Sequence, residues 1–385
     1  MVRLGYARRT VMDRKTLAAL ELLAVFFVLI LISVVIGILN STRAEAQITQ
    51  GNNNNSNTNT ASFFSLPELF SNVEGSVVQV TASNELGISG IGSGFVYDNN
   101  SHIITSSSLV DQSNATLRVT FLDGTTYHAK LVGSDPLTDL AILNVPEVPE
   151  EKLKPLALGN STELKIGEQI ATIGSPYGIA GALTLGVVAK VGFLFSMEGT
   201  PYSIPDTIVA DLPVYLGNSG GPLFNMKGQV VGMTSASFTQ TSISFSVSSN
   251  TIKKVVPSLI SSGSFAHPSL GLSGTDITPE LAEAIGLREE QHGFLVIDVD
   301  PGGPAAKAGI FGSSLDQSAT VNVDGREIAL GGDVIVAADG MPVRKIDDLI
   351  SYIFAEKSVG DNLKLTIFRN GQFQDINIIV EAKSP

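Results

Sequence analysis

The sequence predicts a mainly β chain with two folded domains behind one N-terminal apolar helix. Three observations carry this. Between Ser76 and Val247, short apolar or alternating runs are separated by turn residues. Many short strands at such spacing make a sandwich or a barrel. A Ser/Gly linker, Ser261-Ser262-Gly263-Ser264, then opens onto a second domain at about residues 266–383. Ahead of both, Leu22 to Leu39 is an uncharged, nearly all-apolar run.

Composition narrows the classes. A chain of 385 residues holds two or three domains, and 43% hydrophobic residues suffice for packed cores. The formal net charge of −13, from 37 acidic and 24 basic residues, excludes a nucleic-acid partner. Such binding needs a concentrated basic footprint. With no Cys there is neither a disulfide framework nor a thiolate metal site. The 4 His (His102, His128, His267, His292) show no metal-ligand spacing, so no metal or cofactor is expected.

Residues 1–16 form a basic flank with Arg3, Arg8, Arg9, Arg14 and Lys15 against Asp13. The apolar run that follows, 17–39, is long enough at about 1.5 Å per residue to cross a bilayer core of about 30 Å. The basic flank stays cytosolic, which places the rest of the chain outside. A cleaved signal peptide is the rival, since Ala44-Glu45-Ala46 is like a cleavage site. The run exceeds the usual apolar region of such peptides, about 7–15 residues, and an uncleaved anchor is expected. Residues 40–63 are Asn-rich and lack apolar content, so they read as a flexible linker. Glycosylation sequons begin at Asn40, Asn54, Asn99, Asn114 and Asn160, in keeping with an external location.

The first folded domain is expected over 64–262. Leu66 to Phe70 opens it as a short helix with Pro67 in its first turn. Strands are predicted at 76–82, 94–97, 102–105, 116–121, 126–133, 140–145, 169–173, 184–191, 207–210, 228–234 and 243–247. A closing helix follows at 248–262, where Ile252, Val255, Val256, Leu259 and Ile260 recur at helical spacing.

The chemistry gathers in Tyr215-Leu216-Gly217-Asn218-Ser219-Gly220-Gly221-Pro222-Leu223-Phe224. Glycines let a turn take φ > 0 and let another backbone come close. They also let successive N–H groups point at one spot, as an oxyanion hole requires. The run resembles the nucleophile loop of trypsin-like serine proteases of the HtrA/Deg branch. Gly92-Ser93-Gly94-Phe95, Leu122-Asp123-Gly124-Thr125, Asp135 to Ala141, Ile173 to Gly178 and Ile243 to Val247 resemble further segments of that family, in order. The resemblance implies a pair of six-stranded β-barrels with the active site between them. It makes Ser219 the nucleophile, Asp139 the triad Asp, and the Gly217 and Ser219 N–H groups the oxyanion hole. Leu216, Ile243, Ser244 and Phe245 match the substrate pocket, with apolar walls and no acidic residue to attract Lys or Arg.

One position departs from the family. Its His lies in a Thr-Asn-Asn-His-Val motif, and this chain reads Thr105-Ser106-Ser107-Ser108-Leu109 there. Ser108 stands at the position of the triad His. A serine hydroxyl is a poor nucleophile until a base takes its proton. None of the four His matches a catalytic position. Peptidase activity is therefore expected to be lost or impaired.

The second domain resembles an HtrA-type PDZ domain. The match runs through Ser269-Leu270-Gly271-Leu272, Pro301 to Ile310, Gly332-Asp333-Val334-Ile335 and the helix 346–354. Ser269, Leu270, Gly271, Leu272, Leu349 and Ile353 would form its peptide groove, where an extended peptide adds as a strand. Residues 311–332 are an insertion whose alternation around Asp324-Gly325 reads as a hairpin. The resemblance implies an anchored protein of extracytoplasmic protein quality control, binding unfolded proteins or C-terminal peptides, with a trimer as the oligomer many relatives form. An active endopeptidase with an unrecognised base is the alternative, and a PDZ-based binding scaffold is the third.

Overall fold

The computed structural model describes residues 64–383 apart from 112–114, 176–180, 197–202, 216, 238–242, 289–290, 314–318 and 324. The expected anchor (17–39), the linker (40–63) and Leu216 lie outside the described residues, as do the sequon asparagines at 40, 54 and 114. Among the described residues no helix is long and apolar enough to cross a membrane.

Helix α1 (Leu66–Val73) runs three residues past its expected end. The N–H and hydroxyl of Ser65 both donate to Glu68, at 2.9 and 2.8 Å. These bonds satisfy a helix-start donor and hold the Glu68 carboxyl below its usual pKa. Leu69 and Val73 of α1 are buried in the core that the two barrels share.

The first barrel is formed by β1 (Val77–Asn84), β2 (Gly87–Val96), β3 (His102–Ser106), β4 (Thr116–Thr120), β5 (Thr126–Asp135) and β6 (Leu140–Asn144). It closes in the order β1-β2-β3-β6-β5-β4. Side chains alternate between faces along a strand. Ile103 and Leu143 therefore point into this barrel's own core, while Ile104 and Ile142 join the shared core. With both faces covered, β6 opens on an unbroken apolar run, Leu140 to Leu143.

The second barrel uses β7 (Gln169–Gly174), β8 (Ala182–Ser196), β9 (Ser203–Asp211), β10 (Pro222–Asn225), β11 (Val230–Ser237) and β12 (Ile243–Ser248). It closes as β10-β11-β12-β9-β8-β7. The fold is thus the expected pair of six-stranded barrels. Strand β10 was not anticipated, because its first residue is Pro222. A proline is tolerated at the start of a strand, where no ladder N–H is needed. The short helix α2 (Ser107–Val110) continues directly from β3. Helix α3 (Ser249–Ser262) is capped by Ser248 and ended by left-handed Gly263. It ends at Ser262, as expected, so Ser261 and Ser262 belong to the helix and not to the linker also expected there.

The second domain is built on a sheet of β14 (Leu272–Asp276), β15 (Phe294–Val299), β18 (Val334–Ala338), β20 (Asn362–Arg369) and β21 (Gln372–Ile379), in that order, with β19 (Met341–Pro342) paired to β18. Its other strands are β13 (Pro268–Ser269), β16 (Thr320–Val323), β17 (Arg326–Ala329) and β22 (Glu381–Ala382). Helices α4 (Pro279–Ile285), α5 (Pro304–Lys307) and α6 (Ile346–Glu356) complete it. Strands β16 and β17 pair as the expected hairpin. Val321, Val323 and Ile328 pack it on Leu281, Leu295 and Phe368.

Asp333, only 1% exposed, ties this domain together. Arg369 donates to both its oxygens at 2.5 and 2.6 Å and to the Gly309 carbonyl at 2.6 Å. Breaking such a pair leaves a buried charge without its partner. Arg369→Leu is expected to lower the stability of the second domain by about 3 kcal/mol, read as a loss in urea midpoint at unchanged m-value.

Candidate active site and peptide groove

The Ser219 loop joins β9 to β10 and is tied down on every side. Gly217 and Gly220 take left-handed φ values of 101° and 87°. Gly220 N–H donates to Thr234 O at 2.6 Å, and Thr234 Oγ1 donates to the Asn218 and Gly221 carbonyls at 2.5 and 3.1 Å. From the first barrel, Ser93 N–H donates to Ser219 O at 2.8 Å and Ser93 Oγ donates to Gly217 O at 2.7 Å. Ser93 is fully buried, and this clamp is the physical content of the Gly-Ser-Gly-Phe motif. A Cβ on Gly92 would lie 2.9 Å from Ser219 O, so that strand must be bare to reach the loop. Neither the Gly217 nor the Ser219 N–H meets an acceptor among the described residues.

Ser219 is half-buried, and its Oγ donates to the carbonyl of Ser235 at 3.3 Å. Ser235 sits where the β11–β12 register shifts between Thr234 and Ala236. Such a bulge re-aims a side chain. Here it lets Ser235 Oγ donate to Asp139 Oδ2 at 2.6 Å.

Asp139 is 3% exposed and holds a left-handed φ of 56° just before β6. Its carboxylate gathers serine donors. Ser106 Oγ lies 2.8 Å from both oxygens. Ser107 Oγ donates to Oδ1 at 3.2 Å and Ser108 N–H at 2.9 Å. Ser108 itself is exposed, with its Oγ 2.7 Å from Ser106 Oγ. Ser219, Asp139 and Ser108, named from the sequence, are thus brought into one hydrogen-bonded cluster.

The imidazoles are elsewhere. His102 Nδ1 pairs with Asp98 at 2.7 Å. Burial works against the Asp98 charge, but the bonds from His102 and Asn100 outweigh it and lower the carboxyl's pKa. His267 Nε2 contacts both oxygens of Asp135 at 2.8 and 2.9 Å. His128 and His292 are exposed.

The pocket residues separate. Ile243 is 44% exposed, Phe245 stacks on Phe195 at 4.1 Å between centroids, and Ser244 is fully buried. The Ser244 and Ser246 hydroxyls have no partner among the described residues. Sequence reasoning missed Ser93, Ser106 and Ser235 as site residues. Ser93 and Ser106 lay inside quoted motifs, whereas nothing in the sequence marks Ser235.

In the second domain, Ser269, Leu270, Gly271, Leu272, Leu349 and Ile353 line one cavity of about 450 Å³. Its floor is apolar, and Leu137 and Pro205 of the first domain line it too. No described residue of the β16–β17 hairpin does, because that hairpin packs on the other apolar cluster.

Two closed six-stranded barrels meeting at a glycine-bounded serine and a buried aspartate define a trypsin-like peptidase fold, here joined to a peptide-groove domain. The trypsin-like peptidase domain family matches residues 92–233, and the PDZ domain family matches residues 268–380. The chain belongs to the HtrA/Deg-type proteins, with a trypsin-like domain followed by a PDZ domain. It is 34% identical over 295 residues to a probable periplasmic serine endoprotease DegP-like of Brucella suis, covering 76% of this chain and 52% of that one. It is 33% identical to Protease Do-like 1, chloroplastic, of Arabidopsis thaliana, covering 76% of this chain and 64% of that one. The HtrA-type protease AlgW superposes with TM-score 0.68 at 26% identity, over 84% of this chain and 98% of that one. The chain spans about half the length of the Brucella relative.

Proposed function

We propose that this chain is an HtrA-type protein of extracytoplasmic quality control whose peptidase activity is lost or strongly impaired. It binds unfolded proteins in the barrel domain and C-terminal peptide segments in the PDZ groove, and one N-terminal helix (17–39) anchors it through the linker 40–63. The periplasmic description of its relatives and the basic flank before the apolar run support that location. A trimer is the oligomer the family resemblance suggests.

One observation carries the reading of impaired chemistry. The Asp139 carboxylate is taken up by Ser106, Ser107, Ser108 and Ser235, and no imidazole contacts it or Ser219 among the described residues. Losing the base of a triad costs about 10⁶ in kcat in another serine protease. The test is hydrolysis of unfolded casein by the purified chain. Wild type is expected at background, with Ser219→Ala changing little. Robust hydrolysis that Ser219→Ala abolishes would overturn the reading.

The linker reading makes a separate prediction. Limited proteolysis is expected to cut first between Ser41 and Ser62, where no core protects the backbone, and to release a soluble fragment. A first cut within residues 70–250 would contradict it.

A further inference from the structure

Asp139 is buried, yet its polarity is carried to the surface by two hydroxyls. Ser106 has one hydroxyl hydrogen, and it lies 2.8 Å from both carboxylate oxygens, which only accept. Ser108 Oγ, 2.7 Å from Ser106 Oγ, must therefore donate to Ser106. The lone pairs of the exposed Ser108 oxygen are left to accept, and each bond of such a chain polarises the next. On the other side of the same carboxylate, Ser235 joins Asp139 at 2.6 Å and holds the Ser219 hydroxyl at 3.3 Å. Asp139 thus links, through hydrogen bonds, the residue that holds the serine nucleophile to an exposed acceptor suited to a ring N–H. The chain's own imidazoles are engaged at Asp98 and Asp135 or lie exposed at His128 and His292.

We propose that the Asp139–Ser106–Ser108 relay docks an imidazole brought by the substrate, so that this chain cleaves peptides carrying histidine beside the scissile bond. The inference rests on the reading that the chain has no base of its own. The substrate's ring N–H donates to Ser108 Oγ, and its other nitrogen faces Ser219. That nitrogen takes the Ser219 proton as Oγ bonds to the scissile carbonyl carbon. The carbon–nitrogen bond then breaks, the leaving amine receives the proton, and the acyl group stays on Ser219. Water, deprotonated by the same imidazole, adds to the ester carbon and releases the acid. A histidine on the acyl side of the bond remains for both steps. One on the amine side leaves with the first product and assists acylation alone.

The test uses the full chain with internally quenched decapeptides that differ only in His or Gln at the second residue before the scissile bond. The His peptide is expected to be cleaved about 100-fold faster than its Gln twin, the low end of general-base catalysis. Its rate is expected to rise with pH through about 6.5, as the free imidazole loses its proton. Ser219→Ala is expected to abolish cleavage, and Ser108→Ala to shrink the His/Gln ratio about tenfold. Equal rates for the twins in wild type would overturn the proposal. If both are slow, the impaired-peptidase reading survives and only the docking role falls. If both are fast and depend on Ser219, that reading falls as well. An unchanged ratio in Ser108→Ala would remove the relay.

Discussion

Ser108→His is expected to raise casein hydrolysis above the wild-type level by about 100-fold or more. The backbone at 108 is already placed for it, since Ser108 N–H donates to Asp139 Oδ1 at 2.9 Å and the residue is exposed. A histidine there would offer Nδ1–H to the carboxylate and Nε2 to the Ser219 hydroxyl, the division of labour of a serine triad. Ser106 stands in the way. Its hydroxyl lies 2.8 Å from both Asp139 oxygens, and the ring N–H needs one of them. Ser106→Ala with Ser108→His is therefore expected to exceed the single variant. A misplacement of about 1 Å can cost 10²-fold, and removing the competing hydroxyl lets the ring settle. The measurement is kcat/KM against pH for both variants, with Ser219→Ala added as control. Activity no greater than wild type in both variants would show that Ser219 and position 108 do not share triad geometry.

Gly220→Ala is expected to destabilise the first folded domain by about 3 kcal/mol or more. Two costs combine. An L-residue in the left-handed region costs about 1–2 kcal/mol, and Gly220 has φ 87°. The new Cβ would also lie 2.2 Å from Ser93 O, 2.6 Å from Thr105 Oγ1 and 2.9 Å from Ser106 N. Those atoms belong to the first barrel and two of them are backbone, so the Ser219 loop would have to lift from its seat. Gly192→Ala is the matched control. Gly192 also has a left-handed φ, 70°, but no atom lies within 4 Å of its added Cβ. It is expected to lose only the strain of about 1 kcal/mol. Urea unfolding of the two variants separates conformational strain from close approach. Equal losses would show that contact between the barrels at Gly220 is not tight.

Much of this fold was legible in the chain. Turn residues punctuate the strands, the helical spacing of Ile252, Val255, Val256 and Leu259 marked α3, and the Asp324-Gly325 alternation marked the β16–β17 hairpin. Strand β10 escaped because four residues beginning with proline carry no period, and only pairing with β7 and β11 makes them a strand. The groove residues were legible because they cluster in two short segments, Ser269 to Leu272 and one face of α6.

The Ser219 surroundings divide along the same line. The sequence by itself determined that a serine lies between glycines, that an aspartate precedes a buried strand, and that serine rather than histidine fills position 108. These are local facts, set by residue type and order. Tertiary structure alone decided what each of them touches. Ser93 reaches the loop across 124 positions to Gly217, and Ser235 reaches Asp139 across 96. Contacts at such separation leave no periodic trace, because hydrogen bonding depends on how two barrels close and meet. The same packing sends His102 and His267 to carboxylates away from Ser219 and leaves Asp139 among serines. A residue's chemistry can be read from the chain, whereas its partner is chosen by the fold that buries it.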